Sequence, residues 1–229
     1  MPRDTPHPET IADDLSRAVL EHRLPPGTKL GEDEIAGLYG VSRTIVRGAL
    51  RALAAEDLVE LRRNRGAFVA QPSIREAREV FEARALLEPR TAAWAADRMT
   101  PADAGRLHAH IADEHAAMHA GEHGRAVRLS GQFHLEIARI ADQATIAGLI
   151  ARLIARSSLV VALYWRRTPA LCEENAHHAL VDALVAGDGA RAEELMKSHL
   201  TDLLSQLDLR ERAEPAVDLA RALLRPGGL

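Results

Sequence analysis

The sequence predicts a mainly α-helical fold, with a short N-terminal part of helices and one hairpin, followed by an all-α bundle of six or seven helices. Hydrophobic residues make up 47% of the 229 residues, but aromatic residues make up only 3%. The core is therefore built from small aliphatic side chains, which suit close helix–helix packing. Helical periodicity dominates the chain, and a strand-like pattern is confined to residues 58–70.

Three helices are predicted at the N-terminus. Apolar residues fall on one face over residues 11–19, and this first helix ends before the Pro-Pro-Gly breaker at residues 25–27. A second helix is expected over residues 32–39, with Gly40 as its left-handed C-terminal residue. The third is expected to span residues 42–55, because the serine at its start is a good N-cap.

A two-stranded hairpin is predicted directly after the third helix. Residues 58–62 and 67–70 have the composition of short strands, and Asn64-Arg65-Gly66 supplies turn residues between them. A hairpin in this position is a wing, so residues 1–72 are predicted to form a winged helix-turn-helix domain.

The third helix carries the features of a DNA-reading helix. Its apolar stripe can pack on a bracing helix, while its opposite face presents arginines that can bond bidentately to guanine. The wing can reach the neighbouring minor groove or the phosphate backbone. The predicted DNA-binding residues are Ser42, Arg43, Thr44, Arg47, Arg51, Asn64, Arg65 and Gly66. The alternative is a helical hairpin that never meets DNA and whose arginines are simply solvated.

Charge, cysteine content and targeting segments indicate which partners and which cellular compartment to expect. The net charge of −4 counts mildly against a nucleic-acid binder, but residues 40–66 carry six arginines against three acidic residues. The single cysteine, Cys172, excludes an intrachain disulfide. We find neither an N-terminal signal peptide nor an apolar run of 18 residues, so a cytoplasmic protein without a membrane partner is expected.

The remaining residues, 73–229, are predicted to form the helical bundle. Its helices are separated by Pro, Gly and Asp breaks. They are expected over residues 74–99, 101–120, 123–141, 143–167, 170–187 and 189–211. Residues 217–224 could add one or two turns of a seventh helix.

The N-terminal motifs resemble the GntR family of bacterial regulators. The carrying segments, in family order and spacing, are residues 24–30, 41–47, 58–59 and 64–69. Two positions depart from the family pattern, since Ile45 stands where the family commonly has Pro, and Gly48 where it commonly has Glu. Neither change removes a group facing DNA, and the resemblance implies that Arg43, Thr44, Arg47 and the wing contact an operator.

The helical part resembles the FadR-type branch of that family, which has an FCD effector domain. The resemblance is carried by residues 84–88, 133–134, 177, 187–188, 196 and 199. Members often hold a divalent metal between an Asp, a His four residues later and two further His on the last two helices. The resemblance therefore implies metal ligation by His134, His177 and His199, whereas Ser130 occupies the Asp position. Three imidazoles can still hold Zn²⁺ or Ni²⁺, or the lost carboxylate can leave the site without an ion.

The same resemblance implies an acid effector. Arg84 stands where the family uses an arginine to grip a carboxylate beside the metal, and Ser130 would face the same ligand. The implied effector is a small organic acid, such as a sugar acid, hydroxy acid, dicarboxylate or fatty-acid derivative. The alternative for Arg84 is a plain surface ion pair with Glu88, four residues later.

These features predict a ligand-responsive bacterial transcriptional regulator rather than an enzyme. It would bind a palindromic operator as a homodimer, act as a repressor in the family's usual sense, and be released or modulated by the effector. One alternative is a constitutive DNA-binding dimer whose helical domain only oligomerises. Another is a metal-dependent hydrolase in which a three-His site activates water.

Overall fold

The computed structural model describes residues 7–165 and 172–210 of the chain. The N-terminal part combines three helices with a small sheet, as a winged helix-turn-helix domain does. Its elements are α1 (Pro8–Leu20), β1 (Lys29–Leu30), α2 (Glu32–Tyr39), α3 (Arg43–Ala55), β2 (Val59–Arg62) and β3 (Gly66–Val69).

The sheet has three antiparallel strands in the order β1-β3-β2. The predicted hairpin of β2 and β3 is confirmed, but β1 was missed. Lys29 and Leu30 of β1 pair with Phe68 and Ala67 of β3. A strand of two residues has no periodicity of its own, so its only signal is the distant partner.

Local chemistry at the turns accounts for where these elements end. Gly40 follows α2 with φ 66°, a left-handed backbone that glycine adopts without strain. The wing turn also uses left-handed residues, with φ 59° at Asn64 and 97° at Gly66. Ser42 occupies the N-cap position of α3 as predicted, although its side chain forms no capping hydrogen bond with the described residues.

Six further helices form the C-terminal bundle within the described residues. They are α4 (Ile74–Ala96), α5 (Pro101–His119), α6 (His123–Ile140), α7 (Ala144–Tyr164), α8 (Cys172–Val185) and α9 (Gly189–Ser205). Each overlaps a predicted helix and ends one to six residues earlier than predicted. The possible seventh helix, over residues 217–224, lies outside the described residues.

Two capping boxes fix where the first bundle helices begin. The Ser73 hydroxyl accepts a hydrogen bond from Glu76 N at 3.2 Å, and Ser73 N donates to Glu76 Oε2 at 2.8 Å. Thr100 and Asp103 form the equivalent pair at the start of α5. Because Ser73 caps α4 directly after the wing, the link between the two parts is only a few residues long.

The two parts of the chain share a packed boundary. Leu159 of α7 is fully buried in the same apolar cluster as the core of the winged helix, which includes Ile11, Leu50 and Val69. At the other side of the boundary, Gly124 of α6 lies so close to the Glu21 carbonyl that a Cβ added there would be 1.9 Å from its oxygen. The winged helix is therefore docked directly on α6 and α7.

The helix α7 corrects the expectation that the chain has no long apolar run. By length and composition this 21-residue helix is long and apolar enough to cross a membrane, with a mean hydropathy of 1.8. A core helix passes the same test, and α7 packs against α4, α6 and α1. Only 33% of its apolar window is buried, so the part of the chain that the structure describes leaves much of this helix uncovered.

Candidate functional site

The predicted DNA-reading face lies on α3. Arg43, Thr44, Arg47 and Arg51 are exposed, while Val46, Ala49, Leu50 and Leu53 are buried. The helix thus presents polar groups on one side and packs the other against α1 and α2. The structure brings the first two turns of α3 to the surface, where a major groove could receive them.

Two of these arginines are paired with an acidic residue at the start of α2. Glu32 Oε2 lies 2.8 Å from Arg47 Nε and 3.1 Å from Arg43 Nη2. Asp33 Oδ1 adds a second contact, 3.2 Å from Arg43 Nη1. Burial would raise the pKa of Glu32, but the hydrogen bonds from Arg47 and Arg43 outweigh it and lower that pKa. In this conformation the positive charge of the predicted reading helix is partly neutralised by the acidic residues of α2.

The wing presents a second exposed cationic group. Asn64, Arg65 and Gly66 are all exposed at the turn between β2 and β3. Arg62, in contrast, stacks over Phe68 at 4.6 Å from the ring centre and pairs with Glu60 at 2.9 Å. Arg65 is therefore the side chain at the tip, whereas Arg62 is held against the sheet.

The three predicted metal ligands meet in the bundle interior. His134 of α6, His177 of α8 and His199 of α9 are 3%, 2% and 6% exposed. Their ligand atoms all lie within 4.8 Å of one another, and His177 Nε2 is 3.4 Å from His199 Nε2. Phe133 stacks on His177 and limits its rotation, with ring centres 4.3 Å apart.

Two buried carboxylates orient these imidazoles. Glu88 Oε2 lies 2.6 Å from His134 Nδ1, and Glu114 Oε2 lies 3.1 Å from His177 Nδ1. A carboxylate beside Nδ1 favours a proton on that nitrogen and leaves Nε2 as the electron-pair donor. Both ring nitrogens of His134 are buried without a well-aligned hydrogen bond among the described residues, Nδ1 despite its 2.6 Å contact with Glu88. Nε2, which has no carboxylate beside it, is therefore available to bind a metal.

Arg84 joins this network through a buried ion pair. Its Nε donates to Glu88 Oε1 at 2.5 Å, and its Nη1 donates to the Ser157 hydroxyl at 3.0 Å. Arg84 and Glu88 are only 4% and 2% exposed. The alternative of a surface ion pair between them is therefore wrong, because the pair lies in the interior of the bundle.

The charged states of the network follow from burial and neighbours. Burial would raise the pKa of Glu88, but Arg84 and His134 beside it lower that pKa to about 2. Burial lowers the pKa of His134 against the opposing pull of Glu88, and it lowers the pKa of His199 further. Glu88 is thus an anion at neutral pH, and these two imidazoles are neutral, the form in which histidine binds metals.

A cavity of about 460 Å³ opens beside this cluster. Arg84, Ser130 and His134 lie on its wall, so the structure brings the two predicted effector residues and one predicted ligand to a common space. His177 and His199 lie next to His134. Leu20 and His22, from the end of α1, also line this space.

The residues present fit a divalent ion. A tetrahedral site with Zn–N bonds of about 2.0–2.1 Å requires nitrogens about 3.3 Å apart, and the separation of His177 Nε2 from His199 Nε2 is 3.4 Å. All three ligand atoms lie within 4.8 Å of one another, a wider spread than about 3.3 Å, so His134 would have to move towards the other two to complete a three-nitrogen set. The cavity side would then be open for a fourth ligand. Ser130, in the Asp position, lies on that cavity wall.

Several residues of this site were not found from the sequence. Glu114 was missed, although its spacing from the buried Leu107 and Ile111 places a carboxylate on the apolar face of α5, which was an available signal. Ser157 and Ser158 were also missed, and they are conspicuous as polar residues in the apolar α7. His22 has no motif around it and could be found only from the fold.

Family models match both parts of the chain. The model described as "Bacterial regulatory proteins, gntR family" matches residues 8–69. The model of the FCD domain matches residues 79–202, which is more than half of the chain.

Curated relatives are named as transcriptional regulators. The HTH-type transcriptional regulator LutR of Bacillus subtilis is 28% identical over 202 residues, covering 79% of this chain and 91% of the relative. The HTH-type transcriptional repressor RspR of Escherichia coli is 27% identical over 190 residues, covering 82% and 83%.

Solved structures share the fold. The Escherichia coli protein McbR/YncC superposes with a TM-score of 0.77 at 21% identity, covering 86% of this chain and 95% of that one. The Streptococcus agalactiae GntR protein has a TM-score of 0.51 at 26% identity, covering 86% and 99%.

Proposed function

The chain belongs to the GntR family of bacterial regulatory proteins, in the branch with an FCD domain, and on that premise we propose that it is a metal-dependent, acid-responsive repressor. The family and the named relatives are transcriptional regulators, as predicted, and not enzymes. The observation that carries the finer proposal is the position of the three buried imidazoles, beside a cavity that touches the DNA-binding domain.

The DNA-binding role is assigned to the exposed faces of α3 and the wing. Arg43, Thr44, Arg47 and Arg51 would contact bases and phosphates, and Ser42 at the helix start would contact a phosphate. Asn64, Arg65 and Gly66 at the wing tip would contact the neighbouring backbone or minor groove. The arginines would exchange Glu32 for a DNA phosphate or guanine on binding.

The metal would be held by His134, His177 and His199, with Zn²⁺ and Ni²⁺ as the candidates that suit three imidazoles. When bound, it would supply a positive charge and an open coordination position facing the cavity. Glu88 and Glu114 would keep two of the imidazoles in the metal-binding tautomer.

Charge balance explains why an acid effector would need the metal. Among the described residues near the cluster, one buried guanidinium, Arg84, stands against two buried carboxylates, Glu88 and Glu114. Counted together, these three groups leave an excess of one negative charge, which disfavours a further anion beside them. A divalent ion reverses the balance to one positive charge, so a carboxylate could then bind between the metal, Arg84 and Ser130.

A homodimer is supported by the uncovered side of α7. Only 33% of its apolar window is buried in the single chain, and Leu149 is 39% exposed. Leu149 and Leu153 border a groove with Ala83 and Leu87 of α4. A second copy packed there would remove this apolar surface from water and pair two reading helices on a two-fold-symmetric operator. Such a dimer would act in the cytoplasm.

An operator titration tests this proposal. A duplex selected by the protein from a random pool would be titrated by fluorescence anisotropy, with octanoate, lactate, malate and D-galactonate added in turn. The zinc-loaded protein should lose about 5- to 150-fold in affinity with at least one acid, while the metal-free protein should not respond. Unchanged affinity with every acid would overturn acid sensing.

A second candidate, the constitutive DNA-binding dimer, is favoured by one observation. Arg84 already donates to Glu88 and Ser157, and Ser130 replaces the usual carboxylate, so the effector site could be a purely structural network. The same titration separates the candidates, because this dimer would bind the operator tightly whether or not metal and acid are present.

A further inference from the structure

One turn of α7, formed by residues 156–159, contacts both parts of the protein. Successive side chains of an α-helix point about 100° apart, so these four residues face four directions. Leu159 is fully buried in the core of the winged helix-turn-helix domain. Ser157 is 4% exposed and faces the buried network of the bundle. This turn is therefore the place where the core of one domain meets the interior of the other.

Arg156 holds the end of the predicted DNA-reading helix. Its Nη1 donates to the Asp57 carbonyl at 3.1 Å, and its Nη2 donates to Glu76 Oε1 at 2.5 Å. Asp57 lies just beyond the end of α3, and Glu76 belongs to the capping box that begins α4. The Arg156 guanidinium therefore joins α7 to the end of α3 and to the start of α4.

Ser158 contacts the end of α1 in a similar way. His22 Nε2 lies 3.1 Å from the Ser158 carbonyl, which can only accept a hydrogen bond. His22 and Asp57 both have a left-handed backbone, with φ 57° and 59°, and each lies two residues beyond the last residue of its helix. Residues other than glycine adopt this conformation only where their surroundings fix it. Neighbouring residues of α7 thus contact the two turns that end α1 and α3.

Ser157 connects this turn of α7 to the histidine site. Its hydroxyl accepts a hydrogen bond from Arg84 Nη1 at 3.0 Å and donates to the Ile154 carbonyl at 2.9 Å. Arg84 Nε and Nη2 donate to Glu88, which in turn contacts His134. A carboxylate bound at Arg84 would compete for its N–H groups. It would displace the neutral Ser157 hydroxyl more readily than the charged Glu88, because hydrogen bonds between ions are the stronger ones.

We propose that Arg156 and Ser157 are positioning residues that transmit the state of the effector site to the winged helix. This inference rests on the proposed function, because it assigns the route by which an acid at Arg84 alters operator affinity. An acid that draws Arg84 away from Ser157 would free α7 to shift against the ends of α1 and α3. The acid would favour the shifted pose because it binds that pose more tightly.

The test compares operator binding by zinc-loaded, full-length variants, measured by anisotropy without acid and with saturating octanoate, lactate, malate or D-galactonate. The readout is the ratio of the two dissociation constants. Arg156→Gln removes the contact with Asp57 and lies outside the cavity, so zinc and acid affinity should be unchanged. The ratio should nevertheless fall by about 2- to 30-fold. Arg152→Gln, exposed one turn earlier and bordering the same groove, should keep the wild-type ratio.

Two further variants distinguish positioning from a loss of structure. Arg156→Lys keeps a positive charge beside Glu76 but lacks the planar fork that reaches two acceptors, so it should lower the ratio less than Arg156→Gln. Ser157→Ala removes the acceptor of Arg84 Nη1 and should lower the ratio although Arg156 is intact. If Arg156→Gln instead weakens operator binding without acid and keeps the ratio, Arg156 only supports the fold and the inference is overturned.

These titrations also distinguish the inference from the proposed function. A wild-type response to one of the acids that persists in both Arg156→Gln and Ser157→Ala would retain the acid-responsive regulator and overturn this route. A wild-type protein whose operator affinity ignores all four acids would overturn both.

Discussion

Arginines meet glutamates in both halves of this protein, but the two settings differ in their exposure to water. On the proposed DNA-reading face, Arg47 Nε lies 2.8 Å from Glu32 Oε2, with side chains 52% and 23% exposed. In the bundle, Arg84 Nε lies 2.5 Å from Glu88 Oε1, with side chains 5% and 2% exposed. The separations are similar, yet the surrounding dielectric is not.

This difference suits each pair to a different task. An exposed pair contributes about 0.2–1 kcal/mol and is screened by salt, so DNA can displace it at little cost. A buried pair is costly to break, because removing one partner leaves an uncompensated charge away from water. We therefore propose that the exposed arginines of α3 exchange partners on DNA binding, whereas the buried network holds the proposed ligand site in shape.

The largest effect is expected from breaking the buried pair. Glu88→Gln leaves the Arg84 charge unpaired in the bundle interior and should lower the free energy of unfolding by roughly 3–5 kcal/mol, measured by urea denaturation. The matched control is Glu79→Gln, which removes an exposed partner of Arg75 at the same spacing in the same helix. Equal losses of stability in the two variants would contradict the claim that the buried ion pair matters more for stability than the exposed one.

A smaller effect is expected at the second buried carboxylate. Glu114→Gln removes the anion beside His177 Nδ1, and should weaken zinc binding by about 10- to 100-fold. Competition against a chelating zinc indicator would measure this loss. Glu194→Gln, exposed on α9, is the control. Unchanged zinc affinity in Glu114→Gln would mean that this carboxylate does not orient a ligand.

On the exposed face, Arg47→Ala should weaken operator binding by about tenfold or more. It should also reduce the slope of log affinity against log salt if Arg47 contacts a phosphate. Anisotropy titrations at several salt concentrations would measure both quantities. Arg17→Ala removes an exposed arginine of α1 as the control. Should the two variants behave alike, α3 would not be the reading helix.

The smallest effect is expected from releasing the reading arginines. Glu32→Gln removes the anion that holds Arg43 and Arg47, and should tighten operator binding by about two- to fivefold at low salt. The gain should shrink as salt is raised, because exposed charges are screened. Glu34→Gln, exposed in the same helix, provides the baseline. Weaker binding in Glu32→Gln would instead make Glu32 part of the DNA contact.

The contrast between exposed and buried ion pairs also shows which features of this protein could be predicted from the sequence. Helix starts such as those at Ser73 and Thr100 are encoded by neighbouring residues, so they were predictable from local chemistry. The two Arg–Glu pairs of α4 have identical spacing, but only the fold shows that Arg75–Glu79 is exposed and Arg84–Glu88 buried. Burial depends on packing from α6 and α7, which no local pattern reports.

The features that could not be predicted depend on contacts between residues that are distant in the sequence. The strand β1 was missed because its pairing is with β3, near the other end of the domain. The three histidines came from the family resemblance, whereas the partnership of His177 with Glu114 joins residues of different helices and has no sequence signature. His22 reaches the cavity only because the winged helix docks on α6 and α7.

The central claim is that the buried histidines form a metal site, and elemental analysis of the purified protein tests it most directly. After incubation with Zn²⁺ or Ni²⁺ and removal of excess ion, wild type should retain about one metal per chain. His134→Ala should retain none, and His108→Ala, an exposed histidine of α5, should match wild type. A wild-type protein that retains no metal from either ion would contradict the account and leave the constitutive dimer in its place.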